Sequence, residues 1–220
     1  FKHKIPTFVV NYKSIIQCYK REPEQVVSPD DFDMDDILSK QDLFSDNAAP
    51  EKAKSFMITR VVAEAKLLEE MKSYPFDLLV LAGFIRNFTP YFIDRVNTAP
   101  GVQRIMNIHP ALLPLFPGLN THERALQEAV KQHGATVHFV TTEVDGGPLV
   151  LRASVPVRPG DTAEELAARV LEQEHRIYPQ VIRWFAEGRL QMQCDRVLLD
   201  EKPLPTTGID FAELTPDQVR

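Results

Sequence analysis

Residues 77–82 read DLLVLA and are followed at once by Gly83. A continuous apolar run of this length, stopped by a turn residue, predicts a parallel strand covered on both faces, because a half-solvated strand would alternate. Helical and extended patterns take turns around it. A long helix is expected from Glu51, with Met57, Val61, Ala65, Leu68 and Met71 on one apolar stripe, ending before Pro75. A short helix follows at 89–96, and a strand at 104–109. Asn120 and Glu123 offer a capping-box-like start for a helix ending at Gly134, and 136–144 reads as the next strand. Beyond DGGP, Leu149, Leu151, Ala153, Val155 and Val157 share one face of a strand returning from a tight turn. Asp161 with Glu164 opens a last helix, whose face of Leu166, Val170, Ile177, Val181 and Trp184 runs to Gly188 and which Pro179 should bend or divide. This order predicts an α/β fold with a mainly parallel, doubly wound, Rossmann-like sheet. Ligands of such sheets lie beyond the carboxyl ends of the strands, where His109, residues 83–88 and residues 141–147 should converge on one cleft.

The two ends are less regular. IPTFVV at 5–10 reads as a short buried strand. Residues 11–50 read as an insertion: Pro23 and Pro29 interrupt it, and Asp30, Asp31, Asp33, Asp35, Asp36, Asp42 and Asp46 crowd around a single Lys40. One short helix capped near Ser28 or Asp30 is expected there. The spacing of Asp31, Asp33 and Asp35 fits a calcium loop, but Asp36 and Asp42 stand where that loop needs Gly and Glu, so an acidic helix start is the better reading. After Leu190 two weak strands and a loose, proline-rich acidic end are expected, giving one domain over 1–204 and a tail over 205–220.

Composition narrows the partners. A net charge of −6 and a pI near 5.6 disfavour a broad nucleic-acid footprint, while leaving room for a local pocket for a small anion. Cys18 and Cys194 form no disulfide framework or metal-ligand set and read as inert thiols of a reducing cytoplasm. The longest apolar run, at 78–84, is too short to span a bilayer, and no signal peptide opens the chain. The expectation is a cytoplasmic protein, monomer or homodimer, without membrane or nucleic-acid partners.

Chemistry concentrates in RIMNIHPALLPLFPG at 104–118 and EVDGGP at 143–148. Residues two apart on a strand share a face, so Asn107 and His109 project together. An amide N–H and an imidazole suit a carbonyl oxygen turning into an oxyanion. Asp145 adds a carboxylate that can orient the imidazole and relay a proton through water, and Gly146 and Gly147 allow the turn that brings it in. No Ser or Cys nucleophile motif accompanies them, so direct attack by a substrate amine, that is acyl or formyl transfer, is the reaction indicated. Taken singly, each residue is more often a satisfied polar group, and Asp-Gly-Gly more often a hairpin turn. Zinc held by His109 and Asp145 lacks further ligands at a usable spacing, so no metal is expected. His122, His133 and His175 read as surface or core histidines.

NIHPALLPLFPG, HGATVHFVTTEVDGGPLVL and QEHRIYP resemble the glycinamide ribonucleotide formyltransferases, folate-dependent enzymes of purine biosynthesis, and the likeness runs from about 77 to 204. Asn-x-His with a distant Asp is shared by methionyl-tRNA formyltransferase and formyltetrahydrofolate hydrolase; Pro110, PGLNTHERAL and QEHRIYP favour the purine enzyme. The resemblance implies a formyltransferase-type sheet with Asn107, His109 and Asp145 as the catalytic set and His138 in support. It implies small-molecule substrates: 10-formyltetrahydrofolate as co-substrate, at Arg86, Phe88, Val140, Thr141 and Thr142, and a ribonucleotide at Ile108, Pro110 and Glu174. Leu171 stands where a ribose-contacting Gln is expected. Members of the family open with a strand, a Gly-Ser-Asn phosphate loop and a helix, whereas the first glycine here is Gly83; the resemblance therefore implies an upstream segment that this chain lacks. Two other functions remain open on this reading: a non-catalytic folate-binding homologue, and a formyltransferase for a different amine.

Overall fold

The computed structural model describes residues 5–26, 29, 31–41, 50–97, 102–193 and 196–219. They divide into two compact units, Phe1–Asp77 with Arg86–Val96, and Leu78–Ile85 with Asn97–Arg220.

The first unit is helical: α1 (Tyr12–Arg21), α2 (Met34–Lys40), α3 (Pro50–Met71) and α4 (Pro90–Val96), with one 3-10 turn at Pro23–Gln25. The described residues between 11 and 50 thus hold two α-helices, α1 and α2, where one was expected. The acidic run does start a helix: Asp33 Oδ1 accepts from Asp35 N at 2.8 Å and Asp36 N at 3.2 Å, with Lys40 at the far end. The cap is therefore Asp33; Ser28, Asp30, Asp42 and Asp46 lie outside the described residues. Along the stripe of α3, Met57 and Val61 are fully buried and pack with Ile37 and Tyr91, flanked by Ala65 and Leu68. The strand expected at 5–10 is not formed, and Ile5 and Val9 are exposed. An extended segment needs a neighbour to take its amides and carbonyls, and no strand pairs with it among the described residues.

The second unit is built on β1 (Leu79–Leu81), β2 (Ile105–His109), β3 (Gln132–Phe139), β4 (Leu149–Pro156) and β8 (Ile209–Asp210), neighbours in the order given. The α/β expectation holds, and the sheet is mixed. Pairing is parallel at β1–β2 and β4–β8, as expected for most of the sheet, but antiparallel on both sides of β3. The helix before β3, α5 (Thr121–Gln127), is two turns long and ends well short of Gly134. Asn120 enters it at φ 55° with no side-chain cap bond, so the expected capping box is absent. Gly134 instead serves the β3–β4 ladder, where a Cβ would collide with the Ala153 carbonyl. β1 is only three residues long, and Val80 is 37% exposed, so the double coverage expected for this strand is not found.

The long helix α6 (Ala163–Ala186) is capped by Thr162 and Glu165, one residue beyond the expected pair, while Asp161 pairs with Arg169 at 2.7 Å. Leu166, Val170, Ile177, Val181 and Trp184 are all fully buried, each stabilising the fold by about 1.5–3 kcal/mol. Pro179 does not divide α6: it faces solvent, between the buried anchors Ile177 and Val181. Beyond it, β5 (Leu190–Gln193), β6 (Arg196–Leu199) and β7 (Lys202–Pro203) form a small antiparallel sheet, and Cys194 lies outside the described residues. The last stretch is ordered rather than loose. β8 joins the main sheet, and Trp184 Nε1 donates to the Gln218 carbonyl at 2.7 Å beside α7 (Pro216–Val219). Among the described residues no helix is long and apolar enough to cross a membrane.

Candidate functional site

Strand register brings the polar side chains together. Asn107 on β2 lies directly across the antiparallel ladder from His138 on β3, with Asn107 Nδ2 3.3 Å from His138 Nε2. His138 Nδ1 faces the Phe139 carbonyl at 2.9 Å. A carbonyl only accepts, so Nδ1 carries the proton and Nε2 is left to accept from the Asn107 amide. That contact orients the Asn107 side chain and leaves its second amide hydrogen for another acceptor. His138 is 2% exposed, and burial holds its imidazole below the usual range against the opposing pull of Asp145.

Two residues along β2, His109 is 5% exposed and presents Nε2 to the Phe116 carbonyl at 2.9 Å, which again places a proton on that nitrogen. Nδ1 faces Asp145 Oδ2 at 3.4 Å, and Asp145 Oδ1 lies 3.6 Å from His138 Nε2. Both separations are longer than a well-formed hydrogen bond. The Gly118 amide donates to Asp145 Oδ2 at 2.8 Å and fixes the carboxylate between the two rings. Asp145 itself sits at φ 53°, in a turn closed by Gly146 N to the Glu143 carbonyl at 3.3 Å. At Gly147 a Cβ would meet the Phe139 carbonyl, so only glycine lets this turn fold against the end of β3.

The proline-rich loop between His109 and Gly118 is tied at several points. Thr136 Oγ1 accepts from Leu113 N at 3.1 Å and donates to the Ala111 carbonyl at 2.7 Å; Thr121 Oγ1 donates to the Pro110 carbonyl at 2.7 Å. Arg124 reaches the Pro117 carbonyl at 2.6 Å. Behind the sheet, Tyr178 on α6 places its hydroxyl 2.7 Å from the Leu81 carbonyl and 2.9 Å from that of Met106, joining the ends of β1 and β2.

Asn107, His109, His138 and Asp145 are therefore brought together. Ile108 packs into the core, so its side chain faces away from them, whereas Pro110 is half-buried at the start of the loop. Val140, Thr141 and Thr142 follow β3 and are half-buried, with Val140 N donating to the Ile105 carbonyl at 2.9 Å. Glu174 is half-buried on α6, and burial raises its carboxyl above the usual range; Leu171 on the same helix is 46% exposed. Arg86 and Phe88 belong to the first unit, where the Arg86 guanidinium stands 5.2 Å over the Tyr12 ring and Phe88 stacks on Phe92 at 3.9 Å. His122 and His133 stack edge to face at 5.2 Å; burial pushes His133 down to about 4 and lowers His122 as well, as for core histidines. Sequence reasoning missed the Phe116 carbonyl, the Gly118 amide and the Thr136 clamp. Thr136 was within reach, because it shares a strand face with His138. Among the described residues no group of three or more His, Cys, Asp or Glu is placed to hold a metal ion.

The family model described as formyl transferase matches residues 4–182. The chain belongs to the formyl transferase family. A phosphoribosylglycinamide formyltransferase from Escherichia coli (strain K12) is 47% identical over 150 residues, 68% of each chain. One from Haemophilus influenzae is 49% identical over 138 residues, 63% of each chain, so the alignments span about two thirds of these relatives. Among solved formyl transferase structures, the phosphoribosylglycinamide formyltransferase of Coxiella burnetii in complex with CHES superposes with a TM-score of 0.64 at 44% identity, covering 69% of both chains.

Proposed function

We propose that this formyl transferase moves the formyl group of 10-formyltetrahydrofolate onto the amine of glycinamide ribonucleotide, with Asn107, His109 and Asp145 carrying the chemistry. The observation that supports it most is the meeting of an amide donor, two imidazoles and one carboxylate at the ends of β2 and β3. The amine nitrogen attacks the formyl carbon, and the carbonyl electron pair moves onto oxygen. Asn107 gives that oxygen its second amide hydrogen. His109 donates a hydrogen bond to it from Nε2, the oxygen replacing the Phe116 carbonyl as acceptor. Asp145 takes the amine's proton through a water molecule. As the tetrahedral adduct collapses, the oxygen's electron pair re-forms the carbonyl and the bond from the formyl carbon to N10 breaks; N10 takes up, through water, the proton that Asp145 accepted from the amine, and leaves as tetrahydrofolate. His138 keeps Asn107 in its donating orientation.

Arg86, Phe88, Val140, Thr141 and Thr142 contact the folate through their backbone, and Ile108, Pro110 and Glu174 contact the ribonucleotide. The protein acts in the cytoplasm on these two small molecules, as a monomer or homodimer. The test is release of tetrahydrofolate by purified protein given both substrates. A different amine acceptor is the second reading, favoured by the exposed Leu171 where the resemblance expects a ribose-contacting Gln. A panel of amine acceptors separates the two: turnover only with another amine replaces the first reading by the second.

A further inference from the structure

Glu64 lies within the first unit, 1% exposed on α3, and both of its carboxyl oxygens are directed at one residue. Thr89 N donates to Oε1 at 3.0 Å, and Thr89 Oγ1 is in close contact with Oε2. Thr89 is itself 1% exposed and caps α4, its carbonyl accepting from Phe92 N at 3.0 Å and Ile93 N at 3.1 Å. It directly follows Phe88, whose ring lies parallel to that of Phe92, and it stands three residues after Arg86, held over the ring of buried Tyr12. A buried carboxyl costs stability that an apolar side chain would not. Here each of its two oxygens is engaged by Thr89, at the end of one short segment, residues 86–89.

Burial pushes the Glu64 carboxyl up to about 8, with Thr89 and Arg60 opposing. In the protonated form Oε1 accepts the Thr89 amide while the acid O–H donates to Oγ1, so no charge is needed for the clamp. Gln can make both bonds in the same geometry; Leu can make neither.

We propose that Glu64 is a positioning residue for folate binding: by clamping Thr89 it holds Arg86 and Phe88 in the arrangement that the folate meets. The inference rests on the proposed function for its reading of Arg86 and Phe88 as folate contacts. Its test compares wild type with Glu64→Gln, Glu64→Leu and Thr89→Val, measuring kcat, the KM of each substrate, and binding of 10-formyltetrahydrofolate by calorimetry without acceptor. Glu64→Leu should raise the folate KM and Kd about tenfold with the acceptor KM within about twofold, and Glu64→Gln should stay within about twofold of wild type throughout. A folded Glu64→Leu protein with unchanged folate KM and Kd, or with both substrates weakened alike, overturns the proposal. Should Glu64→Leu not fold, Thr89→Val decides: it keeps the amide bond, loses the hydroxyl, and should weaken folate about threefold; no change overturns the proposal. Wild type that binds folate without transferring formyl to any acceptor refutes the proposed function, and the calorimetric Kd series still decides the role of Glu64.

Discussion

Asn107 Nδ2 faces His138 Nε2 at 3.3 Å across the β2–β3 ladder. The neutral ring of His138 orients the amide, and the amide can then donate only its remaining hydrogen. Asn107→Asp keeps the shape, removes the donor and sets a carboxylate near Asp145. It should lower kcat at least about a hundredfold, as loss of an oxyanion donor does. His138→Leu leaves Asn107 free to rotate and should lower kcat by about tenfold with folate KM little changed. Steady-state kinetics on both variants check this ordering.

Gly147 tests the turn that delivers Asp145. A Cβ there would run into the Phe139 carbonyl, part of the backbone and unable to yield as a side chain would. Gly147→Ala should cost about 2 kcal/mol or more of stability, read as a fall in Tm, and should lower kcat because Asp145 is carried off its place between the two imidazoles.

The buried carboxyl of Glu64 makes stability depend on pH in a defined direction. Its folded pKa, raised to about 8, lies above the ordinary carboxylate value of 4.5, so the folded state holds a proton that the unfolded chain gives up. The protonated group's contribution is fully present below pH 4.5 and is lost as pH rises toward 8. Among the described residues, Arg60, Tyr12 and Tyr91 are charged or titratable groups that interact with it, and Arg86 stands over Tyr12. Wild type should therefore lose a few kcal/mol relative to Glu64→Gln over that window, on the order given by linkage. Denaturant titrations at several pH values measure it, and parallel curves for the two proteins would refute the prediction.

Much of the site was legible because its signals are local. The two-residue period of a strand set Asn107 and His109 on one face, and the turn at Asp145 announced itself through Gly146 and Gly147. Elements fixed by distant partners were not legible. IPTFVV has the composition of a strand but no neighbour to pair with among the described residues. Gly134 resembles a helix stop, yet its role is close approach to Ala153 on β4. Nothing local in the proline spacing of HPALLPLFPG tells that the Phe116 carbonyl turns back onto His109, or that Gly118 donates to a carboxylate 27 residues away. Nothing in the sequence singles out Glu64 on its long helix; its 25-residue reach to Thr89 gives it a role.

Transfer of labelled formyl tests the central claim most directly. Protein given 13C-formyl tetrahydrofolate substrate and glycinamide ribonucleotide in a single turnover should carry the label to the amine as a new formamide, and Asp145→Asn should slow that transfer at least about a hundredfold. Label appearing as free formate, or equal transfer by Asp145→Asn, would contradict the account.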